Sequence, residues 1–158
     1  MRISPGRFTT LFVASLTAVL GALAPAFSAE PDGAATKAHL KQLDSGPKTL
    51  DVAKYPADQK AGYKLFATKC SKCHTLARAI NSDFVLPAQW QRYIKRMMFK
   101  PNSQMSEADG KKIYRFLVYD ASVRKRDLLK KDLSILSAED RADAIEKIKS
   151  INPAFTAP

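Results

Sequence analysis

Apolar residues recur at intervals of three and four along the middle of the chain, which is typical of helices with one buried face. We predict a helix over residues 56–68, a second over residues 87–99 and a third that begins after Ser106. Turn-forming residues within 75–86 predict a loop or a short turn there. The apolar faces of the three helices consist of Gly62, Leu65 and Phe66; of Trp90, Ile94, Met97 and Met98; and of Ile113, Phe116 and Leu117.

The ends of these helices carry residues that favour helix starts and stops. Pro56 suits a first turn, and Pro101 ends the second helix because the residue before a proline avoids helical geometry. Ser106 and Asp109 resemble a capping box, with aspartate in place of the usual glutamate or glutamine. Glycine inside a helix is disfavoured by about 1 kcal/mol relative to alanine. Gly62 therefore indicates that another helix, by preference the third, crosses here at short distance.

Residues 1–28 have the composition of a secretory signal peptide. Arg2 and Arg7 make the start positive, and residues 11–23 form an uncharged apolar run of 13 residues. A membrane-spanning helix needs about 20 apolar residues, so this run is short for a span. Cleavage after Ser28 would leave 130 of the 158 residues. We predict an exported, periplasmic protein with no other membrane span; an uncleaved anchor is the alternative.

Two segments flank the predicted three-helix domain, which covers residues 56–121. Residues 29–55 are a polar leader, which we predict to be mostly linker with a short helix near residues 35–43. Residues 122–158 are a basic extension, in which the third helix can continue through the basic run before a last helix begins after a second capping signature. This last helix carries an apolar stripe that packs either on the domain itself or on a partner: Ile145, Ile148 and Ile151.

Both cysteines of the chain lie in one motif, Cys70-Ser71-Lys72-Cys73-His74. The pattern C-x-x-C-H is typical of covalent attachment of a c-type haem. Two thiols one helical turn apart can add to the two vinyl groups on one edge of a porphyrin. The adjacent imidazole of His74 is then the proximal ligand of the iron. We therefore predict one covalent haem c, with Cys70, Cys73 and His74 as its binding residues.

Other uses of this cysteine pair remain open at this point. A structural zinc site needs four ligands, and the chain adds only His39 to the three residues of the motif. A thioredoxin-like redox pair needs a βαβ context, whereas the residues before Cys70 predict a helix. We expect His39 to be a solvated side chain, with a second axial haem ligand as its alternative role.

The order of these features resembles the small class I cytochrome c domain. A helix with Gly62, Leu65 and Phe66 leads into C-x-x-C-H, a methionine follows, and a helix with Ile113 and Phe116 ends the domain. The resemblance covers residues 56–121 and implies a small all-α cytochrome c-like domain around one haem. The finer pattern of Trp90, a methionine seven residues later and Ser-Glu-Ala-Asp is similar to the haem subunits and domains that accompany periplasmic dehydrogenases.

The distal ligand of the predicted haem is one of three methionines. Met97 matches the resembled pattern, while Met98 and Met105 are the alternatives. Met97 and Met98 lie about 100° apart around a helix, so both cannot face the iron in the same geometry. A methionine that is not a ligand would fill an apolar gap in the core. Trp90 and Tyr93 either contact the porphyrin and its propionates or pack in the core.

These features predict a periplasmic monohaem electron carrier, either free or as the electron-transfer subunit of a dehydrogenase, and no catalytic residue of its own. The alternative is a haem enzyme or gas sensor with an open distal position. Removal of Arg2 and Arg7 with the signal leaves 24 lysines and arginines against 15 acidic residues, a net charge of +9. This charge favours an acidic redox partner, while simple solubility explains it equally well. Export argues against nucleic acid.

Overall fold

A computed structural model describes residues 33–157. Within this range the chain forms seven helices and no strands, which confirms the predicted all-α class. The helices, in chain order, are α1 (Gly33–Ser45), α2 (Ala57–Cys70), α3 (Ala77–Ile80), α4 (Pro87–Met98), α5 (Glu107–Arg124), α6 (Arg126–Ser134) and α7 (Ala138–Ile151). The predicted signal peptide, residues 1–28, lies outside the described residues.

Helices α2 and α5 cross at Gly62. A Cβ placed on Gly62 would lie 2.8 Å from Cβ of Phe116 and 3.2 Å from the carbonyl oxygen of Lys112. Phe66, one turn later, is fully buried and stacks at an angle on the Phe116 ring, with ring centroids 5.6 Å apart. The predicted close crossing of these two helices is therefore confirmed, and a larger side chain at Gly62 would push them apart.

Both predicted capping signatures start helices. Ser106 precedes α5, and its Oγ accepts a hydrogen bond from the Asp109 backbone N–H at 3.1 Å. The Asp109 carboxylate accepts in return from the Ser106 backbone N–H at 3.1 Å, which completes the capping box. Ser137 precedes α7, where its Oγ accepts from the backbone N–H of Asp140 at 3.1 Å.

The expectation that the third helix continues through the basic run is wrong. Helix α5 ends at Arg124, and α6 begins at Arg126. Lys125 between them leaves helical geometry, with φ −111° and ψ 39°. Its Nζ donates to the carbonyls of Ser82 at 2.5 Å and Phe84 at 3.4 Å. These hydrogen bonds attach the junction of α5 and α6 to the segment after α3.

The C-terminal extension packs on the domain itself. Helix α7 contacts α4, α5 and α6, so its apolar stripe is covered by the same chain. Ile148 is fully buried and Ile151 is nearly so, while Ile145 is half-buried. Asn152 continues this contact by donating from Nδ2 to the Ser122 hydroxyl at 2.9 Å. The choice between self-packing and a partner is thus decided for self-packing.

Two short helices lie in the segments on either side of α2 and the cysteine motif. In the polar leader, the short helix predicted near residues 35–43 is present as the 13-residue helix α1, two residues longer at each end, and it packs against α3. Helix α3 itself is a single turn inside the predicted loop 75–86. Asn81 joins the two helices, because its Nδ2 donates to the Leu43 carbonyl at 2.9 Å and the Pro47 carbonyl at 3.2 Å.

Candidate functional site

The cysteine motif opens onto a cavity of about 720 Å³, which we call the motif cavity. This volume lies within the range of about 300–1,000 Å³ that is common for small-molecule and cofactor sites. Its walls are the leader helix α1, the end of α2, the motif, the end of α4 and the loop before α5. The predicted site residues that line it are Cys70, Cys73, His74, Met97 and Met105.

The two cysteines differ in exposure. Cys70 is the last residue of α2 and is buried, whereas Cys73 lies in the following turn and is exposed. Burial, with a smaller contribution from Cys73, raises the pKa of the Cys70 thiol to about 12. Burial therefore favours the neutral thiol of Cys70 over its thiolate. Both cysteines are free.

His74 has the hydrogen bond that a metal-binding histidine commonly has. Its Nδ1 lies 2.9 Å from the backbone carbonyl oxygen of Thr75. A carbonyl only accepts, so Nδ1 carries the proton in this contact. The neutral ring then has its lone pair on Nε2. Ligand histidines usually donate their other ring N–H to a carbonyl or carboxylate in this way.

The structure separates the three candidate methionines. Met97 and Met105 line the motif cavity together with His74. Met98 lines a second cavity of about 580 Å³ between α4, α5 and α7. A Cβ placed on Gly110 of α5 would lie only 2.7 Å from Sδ of Met98, so this thioether fills the space beside the glycine. The geometry thus leaves Met97 and Met105 beside the cysteine motif.

The loop that carries Met105 is tied to the cysteine motif. Lys69 Nζ donates to the Gln104 carbonyl at 2.7 Å, and Lys72 Nζ donates to the Gln104 side-chain oxygen at 2.6 Å. Gln104 has a positive φ of 48°, a strained conformation for a residue other than glycine. Lys69 also pairs with Asp109 at 2.9 Å. The hydrogen bond from Lys69 lowers the pKa of Asp109 to about 2, helped by the Ser106 backbone.

Trp90 and Tyr93 have buried polar atoms without a partner. Among the described residues, the Trp90 Nε1 and the Tyr93 hydroxyl are the buried side-chain atoms that make no hydrogen bond. Trp90 packs edge-on against the rings of Phe84 and Tyr93, and Tyr93 lines the motif cavity. Burial raises the pKa of Tyr93 to about 12, so its hydroxyl keeps its proton. A buried donor without an acceptor is costly, which favours a bound acceptor at Tyr93. Trp90 does not line the cavity and is buried in the core.

Some charged residues at or next to the cavity could not be predicted from the sequence. Asp44 of α1 and Arg78 of α3 form an ion pair at 2.5 Å, and Arg78 lines the cavity with Arg96. Asp44 and Arg78 belong to no sequence motif, so the sequence does not indicate that they interact. Their ion pair forms because α1 packs on α3. His39, predicted to be either solvated or an axial ligand, is exposed and also lines the cavity, so both roles remain predictions.

Two other features have no candidate within residues 33–157: a side-chain metal site and a membrane-spanning helix. No three side chains of His, Cys, Asp or Glu are grouped there in a way that could hold a metal ion. None of the helices in this range has both the length and the apolar character needed to cross a membrane. The chain matches no described protein family, no curated protein and no solved structure.

Proposed function

We propose that the protein is an exported monohaem c-type cytochrome that carries single electrons, free or as the electron-transfer subunit of a dehydrogenase. One observation carries this proposal: Cys70, Cys73, His74 and a methionine thioether line one cavity of suitable volume. The signal-like sequence of residues 1–28 supports export, where haem attachment in bacteria takes place according to the cytochrome c resemblance.

The residues of the cavity fit a covalent haem. Cys70 and Cys73 would form the thioether links, and His74 would bind the iron through Nε2. Met97 is our preferred distal ligand, with Met105 as the alternative on the same cavity. Tyr93 offers a buried, protonated hydroxyl to a propionate, which accounts for its missing partner. All of the residues in this proposed set line the same cavity.

The chemistry follows from this donor set. A haem with histidine and methionine ligands exchanges one electron at a raised potential, and its second strong ligand closes the iron to substrates. His74 keeps its proton on Nδ1, because the Thr75 carbonyl is an acceptor only. Attachment of the haem would use the thiol groups of Cys70 and Cys73. The protein therefore supplies binding and orientation, and it has no catalytic residue of its own.

The experiment that tests this function is a pyridine haemochrome assay and visible and near-infrared spectra of the exported protein. We expect one covalent haem per chain, a ferric thioether band and no reaction of the reduced form with carbon monoxide. Uptake of carbon monoxide would instead favour the second candidate, a haem enzyme or sensor. This second candidate needs a distal histidine or arginine near an open iron, and His39 and Arg96 both line the same cavity. Absence of haem would reject both.

Methionine variants separate the distal ligands. We expect Met97→Ala to abolish the ferric thioether band and to allow carbon monoxide binding, because an open position replaces the thioether. Met98→Ala is the matched control, since Met98 faces the second cavity and should leave the spectrum unchanged. If Met105→Ala removes the band and Met97→Ala does not, the loop methionine is the ligand.

We further propose that the protein docks an acidic redox partner through the exposed part of the basic run. Lys130 and Lys131 are exposed, whereas Lys125 is used within the fold. Lys130→Glu with Lys131→Glu should slow electron transfer to such a partner at low salt and not at high salt. The control is Lys48→Glu with Lys54→Glu, which changes net charge equally in the leader. Electron-transfer rates that do not differ between low and high salt would contradict docking through this basic surface.

A further inference from the structure

The leader helix reaches the cysteine motif through one carboxylate. The Thr75 hydroxyl donates to Oδ1 of Asp44 at 2.8 Å. Arg78 donates to the same carboxylate, from Nε to Oδ1 at 3.3 Å and from Nη2 to Oδ2 at 2.5 Å. Thr75 is also the residue whose backbone carbonyl holds Nδ1 of His74. Asp44 is thus two hydrogen bonds away from the imidazole, through a single intervening residue.

The position of Asp44 is held from both sides. On the leader, the carbonyls of Leu43 and Pro47 on either side of it accept from Asn81. On the motif side, Arg78 and Thr75 occupy its carboxylate oxygens. These hydrogen bonds, that of Arg78 first, lower the pKa of Asp44, so the carboxylate stays ionised at neutral pH. The side chains of Asp44 and Arg78 are 26 % and 29 % exposed, so the pair is partly shielded from water.

We propose that the opposite charges of Asp44 and Arg78, held next to His74 by these hydrogen bonds, set the reduction potential of the site. This inference rests on the proposed haem function and adds its regulation by the leader helix. Asp44 fixes Thr75, and Thr75 fixes the imidazole. The two charges lie beside the motif cavity, where Arg78 is part of the wall.

Electrostatics gives the two charges opposite effects. The oxidised iron centre carries one more positive charge than the reduced centre, so a nearby anion favours the oxidised form and a nearby cation the reduced form. Asp44→Asn removes the anion and leaves Arg78 uncompensated, which should raise the midpoint potential. Arg78→Gln leaves Asp44 uncompensated, which should lower it. A merely structural role predicts shifts of the same sign, because both variants break the same ion pair.

The test is a spectroelectrochemical titration of the haem-loaded protein and these two variants. We expect shifts of opposite sign that shrink as ionic strength rises, since the pair is partly exposed. The conservative variant Asp44→Glu should remain near the wild-type potential. Asp44→Ser is a second anion-free variant should Asp44→Asn accumulate poorly. Asp51→Asn is the matched control, because Asp51 is exposed on the leader and bonds only locally, to the Ala53 N–H at 2.9 Å.

The outcomes separate this inference from the proposed function. Shifts of the same sign, or shifts no larger than that of Asp51→Asn, in a protein that carries haem would overturn the role of Asp44 and Arg78 alone. A wild-type protein without haem by the pyridine haemochrome assay would overturn the proposed function and this inference with it. Limited proteolysis gives a readout without haem: cleavage within α1 should become faster in both Asp44→Asn and Arg78→Gln.

Discussion

The leader and the C-terminal extension pack on the helices α2 to α5 in different ways. The extension contributes fully or nearly fully buried side chains to the same core as α5: Leu129, Leu133, Ala144, Ile148, Ile151 and Phe155. The leader has no fully buried side chain between residues 36 and 55. Leu50, Val52 and Tyr55 are only partly buried against the core. Polar contacts add to this packing, such as Asp44 with Arg78 and the Tyr55 hydroxyl with Asp120 at 2.9 Å.

The two segments therefore contribute differently to stability and to the geometry of the site. Burial of apolar surface stabilises a fold without directing any particular group, and the extension provides such burial. Partly exposed ion pairs contribute little stability, typically about 0–1 kcal/mol, but their geometry is directional. The leader lines the motif cavity, whereas Lys147, Ser150 and Ile151 of the extension line the second one. We therefore expect the extension to govern stability and the leader to govern the site.

The largest expected effect is in the core of the extension. Ile148→Ala should lower the free energy of unfolding by about 2–5 kcal/mol, because Ile148 is fully buried and its loss leaves a cavity. Urea titration of the haem-loaded protein measures this change. Ile135→Ala is the matched control, since Ile135 is 78 % exposed in the same extension. Equal losses of unfolding free energy in the two variants would contradict the stabilising role of the buried extension. An altered haem spectrum in Ile148→Ala would show that the extension also acts on the site.

The next effect concerns Lys125, at the junction of domain and extension. Lys125→Met should cost about 1–3 kcal/mol, because the Ser82 carbonyl loses its donor. Lys125 Nζ also lies 5.5 Å from the Trp90 ring centroid, a cation–π contact that methionine cannot make. Lys130→Met, on an exposed lysine of α6, is the control and should change the free energy of unfolding little.

The same lysine gives a pH dependence of known sign. Burial, with the Arg124 charge, lowers the pKa of Lys125 to about 8 from 10.5. Between these values the unfolded chain binds more protons than the folded one, so stability rises with pH there. The stability of the wild type relative to Lys125→Met should thus increase from pH 8 to pH 9.5, measured by urea titration. A difference that stays flat or falls would show that Lys125 remains charged in the fold.

A smaller effect is expected at the two helix caps. Ser106→Ala and Ser137→Ala should each lower the free energy of unfolding by about 1 kcal/mol, because a backbone N–H loses its acceptor. Ser106 directly follows Met105, so only its variant should also alter the haem spectrum. Ser150→Ala, within α7, controls for loss of a hydroxyl. Spectral changes in Ser137→Ala would mean that the extension also acts on the site.

The smallest change in stability is expected on the leader. Leu43→Ala should cost less than about 1 kcal/mol, because this side chain is only partly buried. It lines the motif cavity, so its removal should speed reduction of the haem by a small soluble reductant. Leu136→Ala, on a partly buried leucine of the extension, is the control in stopped-flow measurements. Equal reduction rates in the two variants would contradict the division of roles.

The sequence predicted the helices best where the signal is local. Ser106 and Ser137 bond to residues three positions away, so their caps can be read from neighbouring letters. The bend at Lys125 could not be predicted, because its partners Ser82 and Phe84 lie about 40 residues earlier in the chain. Asp44 was missed for the same reason. It reads as one acidic residue of a polar leader, and it gains a role only when α1 packs on α3.

The all-α class, the position of a close crossing at Gly62 and the C-x-x-C-H motif could be predicted from the sequence. Each prediction uses residues that are close together in one helix or one turn. The sequence favoured Met97 over Met98 only through the resemblance to the cytochrome c pattern, because the two methionines are adjacent in the same predicted helix. In the folded protein, the end of α4 lies between two cavities, and each methionine lines a different one. Residues that differ by about 100° around a helix then face different sides, so Met97 faces the cavity of His74 and Met98 faces Gly110.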